Sequence, residues 1–333
     1  LGFRKRRGMR GVRILGIGHY CPDNIITNKD LESIVETTDE WIVKRTGIKE
    51  RRISTGEGTV DLAYKAALNA LTNSKCSKED IDLIIVATTS PDKLMPSTAC
   101  SIQGLLGCKN AAAFDISAAC SGFVYSLIIA SGLIKTTDKK KALIIGSEVL
   151  SKIVDWSDRN TCVLFGDGAG AAVIELCENE DSIISTCFGA DGNLGEKSLV
   201  ASELKLKTPF SFDNSNEKRY IEMKGGEVFK FAVSILPEII KELLDKANED
   251  INDIKYIVPH QANLRIIDEA ARRLQINREK FYVNVDRYGN TSAASIPIVL
   301  SELLDKKLIN RGDKIILAAF GGGLTWAGAL IKF

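Results

Sequence analysis

The chain has 333 residues, 45% of them hydrophobic, enough for one large core or two ordinary ones, and its 44 basic and 43 acidic side chains leave a net charge of +1. Such a balance argues against nucleic acid or an anionic membrane as the main partner, and no apolar run is expected to reach the roughly 18 residues of a membrane span. Eight cysteines are scattered without a Cys-x-x-Cys pair and only two histidines occur, His19 and His260, so neither a metal centre nor a disulfide framework is expected, and a reducing compartment fits best. Residues 1–8 are basic and precede Met9. They read as an extension ahead of the natural start of a cytoplasmic protein, with the remnant of an organelle transit peptide as the other reading.

In chain order, Val12 to Ile17 is predicted as a strand and Asn28 to Thr37 as a helix capped by Asn28. The stretch Asp39 to Ile48 carries Trp41, Lys44 and Arg45, which could hold an adenine ring and phosphates or could be a surface helix with a packed Trp. Thr59 to Leu71 has the apolar stripe of a helix, and Leu83 to Thr88 is the continuous apolar run of a strand covered on both faces. Pro91 to Pro96 is a loop, and Ser97-Thr98 caps the next helix. A short apolar run, Ala111 to Phe114, then leads into Asp115-Ile116-Ser117-Ala118-Ala119-Cys120-Ser121-Gly122-Phe123, and Val124 to Ile134 is apolar enough for a buried helix.

Cys120 therefore sits where a strand turns into a helix, among small residues that leave room for a substrate. The positive end of the helix is expected to lower the thiol pKa and favour the nucleophilic thiolate. A small cysteine packed between strand and helix explains the same stretch without chemistry. Lys141 to Ser147 is a further buried strand, and Phe165 to Ile174 is a Gly-rich turn that enters a strand; it lacks the Gly-Lys-Ser/Thr ending of a phosphate loop.

The second part of the chain echoes the first. Asn248 to His260 repeats the order of Ser77 to Thr88, an acidic turn, an isoleucine and a buried strand, and Thr325 to Ile331 echoes Gly168 to Ile174. Two related α/β halves are predicted, 9–178 and 179–333, with a polar insertion over Ser198 to Asn216, a long helix over Gly225 to Asn248 despite Pro237, a strand over Tyr282 to Val285, a helix over Ser295 to Leu304 and a strand over Lys314 to Ala319. Ligand sites in open α/β folds lie beyond the carboxyl ends of strands. His260 in Pro259-His260-Gln261-Ala262-Asn263 and Asn290 in Tyr288-Gly289-Asn290-Thr291-Ser292 are expected there together with Cys120. Taken singly, a structural histidine and a turn asparagine are the plainer readings.

These motifs, together with Phe320-Gly321-Gly322-Gly323-Leu324-Thr325-Trp326, resemble those of the β-ketoacyl-[acyl-carrier-protein] synthase III family, initiating condensing enzymes of type II fatty-acid synthesis with the thiolase fold, over roughly Val12 to Phe333. The resemblance implies two duplicated βαβαβ halves in a layered α-β-α-β-α core and a Cys120-His260-Asn290 triad. It implies an oxyanion hole from the backbone N–H groups of Cys120 and Gly322, with acyl-CoA and malonyl-acyl carrier protein as substrates and no resident cofactor. It further implies that Trp41 and Arg159 flank the CoA adenine near Arg45 and Thr46. Asn263 is expected at the pantetheine arm and Phe320 beside the thiol. Lys230, Arg265, Arg272 and Arg273 are expected to dock the carrier protein, and Met95 to line the acyl pocket of the partner in a homodimer. Two positions depart from many relatives: Gly226, where some have Asn, and Met95, where several have Phe. Elongating enzymes of the fold use two site histidines, and a papain-type hydrolase needs its cysteine near a secreted N-terminus; neither pattern is present. A related thiolase-fold synthase using other acyl primers in secondary metabolism and a non-catalytic partner subunit are the remaining alternatives.

Overall fold

The computed structural model describes residues 10–178, 180–203, 208–210 and 219–333. Nine strands build two sheets. The first contains β1 (Arg10–Tyr20), β2 (Leu83–Ala87), β3 (Ala112–Ile116), β4 (Lys141–Glu148) and β5 (Gly168–Glu178), in the order β1-β5-β4-β2-β3. β2 pairs in parallel with β3 and β4, and β5 runs antiparallel to β4 and β1. The second contains β6 (Ile183–Ala190), β7 (Ile254–Pro259), β8 (Lys314–Gly321) and β9 (Thr325–Lys332), in the order β6-β9-β8-β7, with one parallel pair, β7 with β8, beside two antiparallel ones. A lone parallel bridge from Ile257 to Phe281 stands where the first sheet has β3. The order of sheet 1 is thus repeated in sheet 2, which supports the reading of two related halves.

The helices sort into three layers. α4 (Gly122–Thr136) and α7 (Ser295–Asp305) lie between the sheets, where Phe123, Leu127, Val299 and Leu303 meet Ile85, Ile144, Leu317 and Ala329. α2 (Thr59–Ser74) and α3 (Thr98–Leu106) cover the outer face of sheet 1 through Ala66, Ala70 and Ile102. α5 (Gly225–Ala247) and α6 (Leu264–Leu274) cover the outer face of sheet 2 through Leu236, Ile240 and Ile267. This is the five-layered α-β-α-β-α thiolase fold, and burial on both faces explains why β2 reads as an unbroken apolar run. Ala119–Thr136 is long and apolar enough to cross a membrane, against the expectation from the sequence, but it forms the central layer between the sheets.

Three expectations are corrected. The helix expected over 28–37 is one turn, Asn28–Leu31. Its cap is Thr27, because Asn28 is buried and spends its amide on Asp39 Oδ1 (2.8 Å) and Ile48 O (2.7 Å). The strand expected over Tyr282 to Val285 does not form, because the Gln261 side chain takes its ladder positions. Gln261 Oε1 accepts from the N–H of Asn284 (3.0 Å) and Val285 (3.2 Å), its Nε2 donates to Tyr282 O (3.2 Å), and Val285–Tyr288 becomes a helical turn. Of the insertion expected over 198–216, Leu199–Val200 pairs with Glu222–Met223, while 204–207 and 211–216 lie outside the described residues, as does the extension over 1–8.

Candidate active site

β3 ends at Ile116, and the chain reaches α4 through a tight turn over Ala119–Ser121 that presents Cys120. Ala119 adopts a left-handed φ of 44°, which costs a non-glycine residue about 1 kcal/mol. The turn is held by its neighbours: Ser121 Oγ donates to Ala118 O (2.7 Å), and Thr325 Oγ1 lies 2.8 Å from Ser121 Oγ and 3.0 Å from both Ala118 O and Gly322 O. Gly321, at the end of β8, packs directly against it. A Cβ there would stand 2.6 Å from Cys120 N, so only glycine lets the two halves close on the nucleophile.

Cys120 is 9% exposed and lines two cavities, of about 330 Å³ and about 140 Å³. The expected lowering of its pKa is overturned. Burial pushes the thiol up to about 12, the Ser292 hydroxyl and the thiol's own backbone N–H pull the other way, and the negative charge of Glu148 raises it further. Desolvation of the buried thiol is the largest of these influences, and no cation is among them.

His260 follows β7 directly and lines the smaller cavity with Cys120, Asn290 and Phe320. Its ring meets Phe320 edge-on at 5.4 Å. Burial lowers its pKa to about 3, so the imidazole is neutral at physiological pH and forms no thiolate–imidazolium pair with Cys120. Nδ1 lies 2.7 Å from Ser295 Oγ. That oxygen also accepts the N–H of Gln261 (3.4 Å) and keeps its own proton, so it can donate to Nδ1; in that tautomer the ring proton is on Nε2, which can donate into the cavity.

Asn290 does not follow a strand, contrary to expectation. It follows the turn Val285–Tyr288 and is tied to the first half by a parallel bridge to Phe165, with its N–H on Leu164 O (2.8 Å) and its carbonyl accepting from Gly166 N (3.0 Å). Its Oδ1 accepts the N–H of Ser292 (2.9 Å), which leaves the Nδ2 donors for the cavity. The cavity wall thus offers a thiol and two neutral donors, and donors of this kind stabilise an oxyanion or enolate that develops on a substrate oxygen.

The remaining predicted residues divide. Gly322 lines the larger cavity with Cys120, and Asn263 lines the smaller one. Asn263 caps α6 by accepting from Arg265 N (2.9 Å) and donates to Arg45 O (3.0 Å), which joins α6 to the helix α1 over Asp39–Thr46. The Arg159 and Arg45 guanidinium carbons lie 4.7 and 5.0 Å from the centre of the Trp41 rings, so both cations stack on Trp41. Arg159 also donates to Glu36 O (2.9 Å), and in this arrangement the gap to Trp41 is narrower than the about 7 Å, two contact distances of ~3.5 Å, that an intervening adenine needs. Thr46 is not open to a ligand: it is buried, its hydroxyl donates to Ile42 O (2.7 Å) and accepts from Ile48 N (3.0 Å), and it closes α1. Met95 is 84% exposed on its loop and lines neither cavity of its own chain. Arg272 and Arg273 share one carboxylate, Glu269, at 2.7 Å, Lys230 pairs with Glu227 (3.2 Å) and Arg265 lies over Phe229, so the expected basic face is partly neutralised. His19 contacts Ser301 Oγ (2.8 Å) and is absent from the linings of both cavities.

Residues missed in the sequence are Gly321, Ser295, Ser292 and Glu148. Gly321 stood one place from a named glycine in the same motif. The two serines sit in the Asn290 motif, but which atoms they orient depends on hydrogen bonds that spacing does not show.

Among the described residues no group of three or more His, Cys, Asp or Glu is placed to hold a metal. Family models described as 3-oxoacyl-[acyl-carrier-protein] synthase III match residues 114–192, and its C-terminal part matches 244–333. The β-ketoacyl-[acyl-carrier-protein] synthase III of Clostridium acetobutylicum is 51% identical over 325 residues, 98% of this chain and 99% of its own. The crystal structure of 3-oxoacyl-[acyl-carrier-protein] synthase III from Aquifex aeolicus superposes with a TM-score of 0.89 at 49% identity, covering 97% of this chain and all (100%) of the other. The priming β-ketosynthase of the R1128 polyketide pathway superposes with a TM-score of 0.91 at 33% identity, covering 100% and 99%. Fold and likeness together define the class, a condensing acyltransferase of the thiolase fold. Within that class, the chain belongs to the 3-oxoacyl-[acyl-carrier-protein] synthase III family.

Proposed function

We propose that the chain catalyses the initiating condensation of fatty-acid synthesis: an acyl-CoA, acetyl-CoA first among the candidates, and malonyl-acyl carrier protein give 3-oxoacyl-acyl carrier protein, CO2 and CoA. The reading rests on one observation above all, a cavity wall shared by Cys120, His260 and Asn290, in a chain so similar throughout to a synthase III. Cys120 attacks the acyl-CoA carbonyl and becomes a thioester. His260 Nε2–H and Asn290 Nδ2 then donate to the thioester oxygen of the malonyl group, and as CO2 leaves, negative charge moves onto that oxygen. The enolate carbon attacks the acyl-Cys120 carbonyl, whose oxyanion is met by the N–H groups of Cys120 and Gly322. None of these steps calls for a resident cofactor.

Trp41 and Arg159 flank the adenine, Arg45 stands near it, and Asn263 meets the pantetheine arm. Lys230, Arg265, Arg272 and Arg273 face the acidic carrier protein, with Glu269 exchanged for carrier carboxylates on docking; exposed ion pairs are weak enough for that exchange. The enzyme works as a homodimer. In support, β3 is the end strand of sheet 1, and the loop residues Leu94 and Met95 are 77% and 84% exposed. Sedimentation at micromolar concentration tests this, and a monomer there contradicts it. The bacterial relatives favour a cytoplasmic enzyme over an organelle one. A synthase taking other primers is less favoured, since the polyketide ketosynthase is the more distant relative. The direct test is CO2 release and 3-oxobutyryl-carrier formation from acetyl-CoA and malonyl-carrier protein. Product with acyl-carrier protein as donor but not with any acyl-CoA would overturn the priming reading.

A further inference from the structure

One buried carboxylate beside the nucleophile has no part in the chemistry above. Glu148, the last residue of β4, is fully buried (0% exposed). It accepts from five donors: Thr88 Oγ1 (3.2 Å), Thr89 N (3.1 Å), Thr89 Oγ1 (3.1 Å), Ser90 Oγ (2.5 Å) and Ser292 Oγ (3.0 Å). Thr88 Oγ1 in turn accepts from Ser90 N (3.1 Å) and Ser90 Oγ from Val149 N (3.0 Å), so both hydroxyl protons are directed at the carboxylate. Burial raises the Glu148 pKa and these hydrogen bonds oppose the rise. Five donors and no acceptor suit the ionised form. Ser292 lines the larger cavity with Cys120, its turn over Ser292–Ala294 packs against the Ala119–Ser121 turn, and its hydroxyl lowers the thiol pKa. With its own proton on Glu148, that oxygen has lone pairs left to receive another. Ser292 is held there at a left-handed φ of 48°, a strained arrangement of the kind that clusters at functional sites.

The titratable groups that face the thiol are Glu148 and His260. In the tautomer in which Nδ1 accepts from Ser295, His260 presents Nε2–H to the cavity and no lone pair. We propose that Ser292 and Glu148 form a relay that takes the proton from the Cys120 thiol during acyl transfer and returns it to the leaving thiolate. The S–H proton moves to Ser292 Oγ as the Ser292 proton moves to Glu148. The sulfur forms its bond to the thioester carbonyl carbon, the carbon–sulfur bond to the donor breaks, and the proton goes back through Ser292 to the departing sulfur. No oxidant or reductant enters. In this relay Ser292 exchanges the proton with the reacting sulfur, and Glu148 acts through it as a positioning and proton-holding residue. The inference rests on the acyl-Cys120 reading.

The test is rapid-quench mass spectrometry of the full chain with acetyl-CoA, from about pH 6 to about pH 9, for wild type, Glu148→Gln, Ser292→Ala and Ser292→Thr. General-base assistance is worth ~10² or more in rate. Wild type is expected to acylate at a nearly constant rate. Glu148→Gln and Ser292→Ala should be about 10²-fold slower near pH 7, with the deficit shrinking as hydroxide replaces the relay, and Ser292→Thr, which keeps the hydroxyl, should recover most of the rate. Variants that match the wild-type profile, or that lose rate equally at every pH with Thr no better than Ala, overturn the relay. If Glu148→Gln does not fold, the Ser292 pair decides alone. A wild-type chain that takes no acyl group overturns the reading of the site as well, so the two failures are distinguishable.

Discussion

The two halves share a strand order and differ where the fifth strand belongs. In the first half β3 completes the sheet, and the chain turns at its end into the helix that carries Cys120. In the second half only Phe281 pairs with β7, because the Gln261 side chain holds the next residues off the ladder. The released segment crosses to the first half, where Asn290 bridges to Phe165 and Ser292 bonds to Glu148. Duplication supplies the frame, and the departure from it brings second-half donors against a first-half thiol.

The largest effect that would sharpen this contrast concerns the thiol. With a pKa near 12 in place of the ordinary 9.0, the thiolate fraction at neutral pH is about 10³ lower than for a free cysteine. Thiolate absorption, taken as wild type minus Cys120→Ser, should stay flat to about pH 9; a rise near pH 7 would restore the helix-end picture. Next, His260→Ala or Asn290→Ala should cut malonyl-carrier decarboxylation by about 10²–10³-fold and slow Cys120 acylation far less. Equal losses in both steps would mean the halves do not divide the work. Gly321→Ala strikes the seam. The 2.6 Å approach to Cys120 N forces a backbone shift that should cost about 1–3 kcal/mol in urea unfolding and slow both steps. An unperturbed variant would show that the seam is looser than described. The smallest effect belongs to Thr325→Val, about 1 kcal/mol for loss of the hydroxyl and the hydrogen bond it donates; no change in stability would remove Thr325 from the support of the nucleophile turn.

Much of this was legible in sequence. The unbroken apolar runs announced strands covered on both faces, and the repeated acidic turn before Leu83 and Tyr256 announced the duplication. Cys120, His260, Asn290 and Phe320, named from their motifs, line one cavity. What stayed hidden depends on side chains taking the place of backbone. Asn28 buries its amide and cedes the cap to Thr27, Gln261 dissolves a well-patterned strand, and Thr46 closes a helix in place of facing a ligand. The thiol pKa was misread for a related reason: the helix end is visible in sequence, but complete burial of the sulfur is not.

The most direct measurement is the intact mass of the chain after brief exposure to acetyl-CoA and to a panel of longer and branched acyl-CoAs, beside Cys120→Ser. The account predicts a single acyl adduct that is absent in the Cys120→Ser variant, with the best donor naming the primer. An unmodified wild-type chain with every acyl-CoA, or an adduct that survives the substitution, would contradict it.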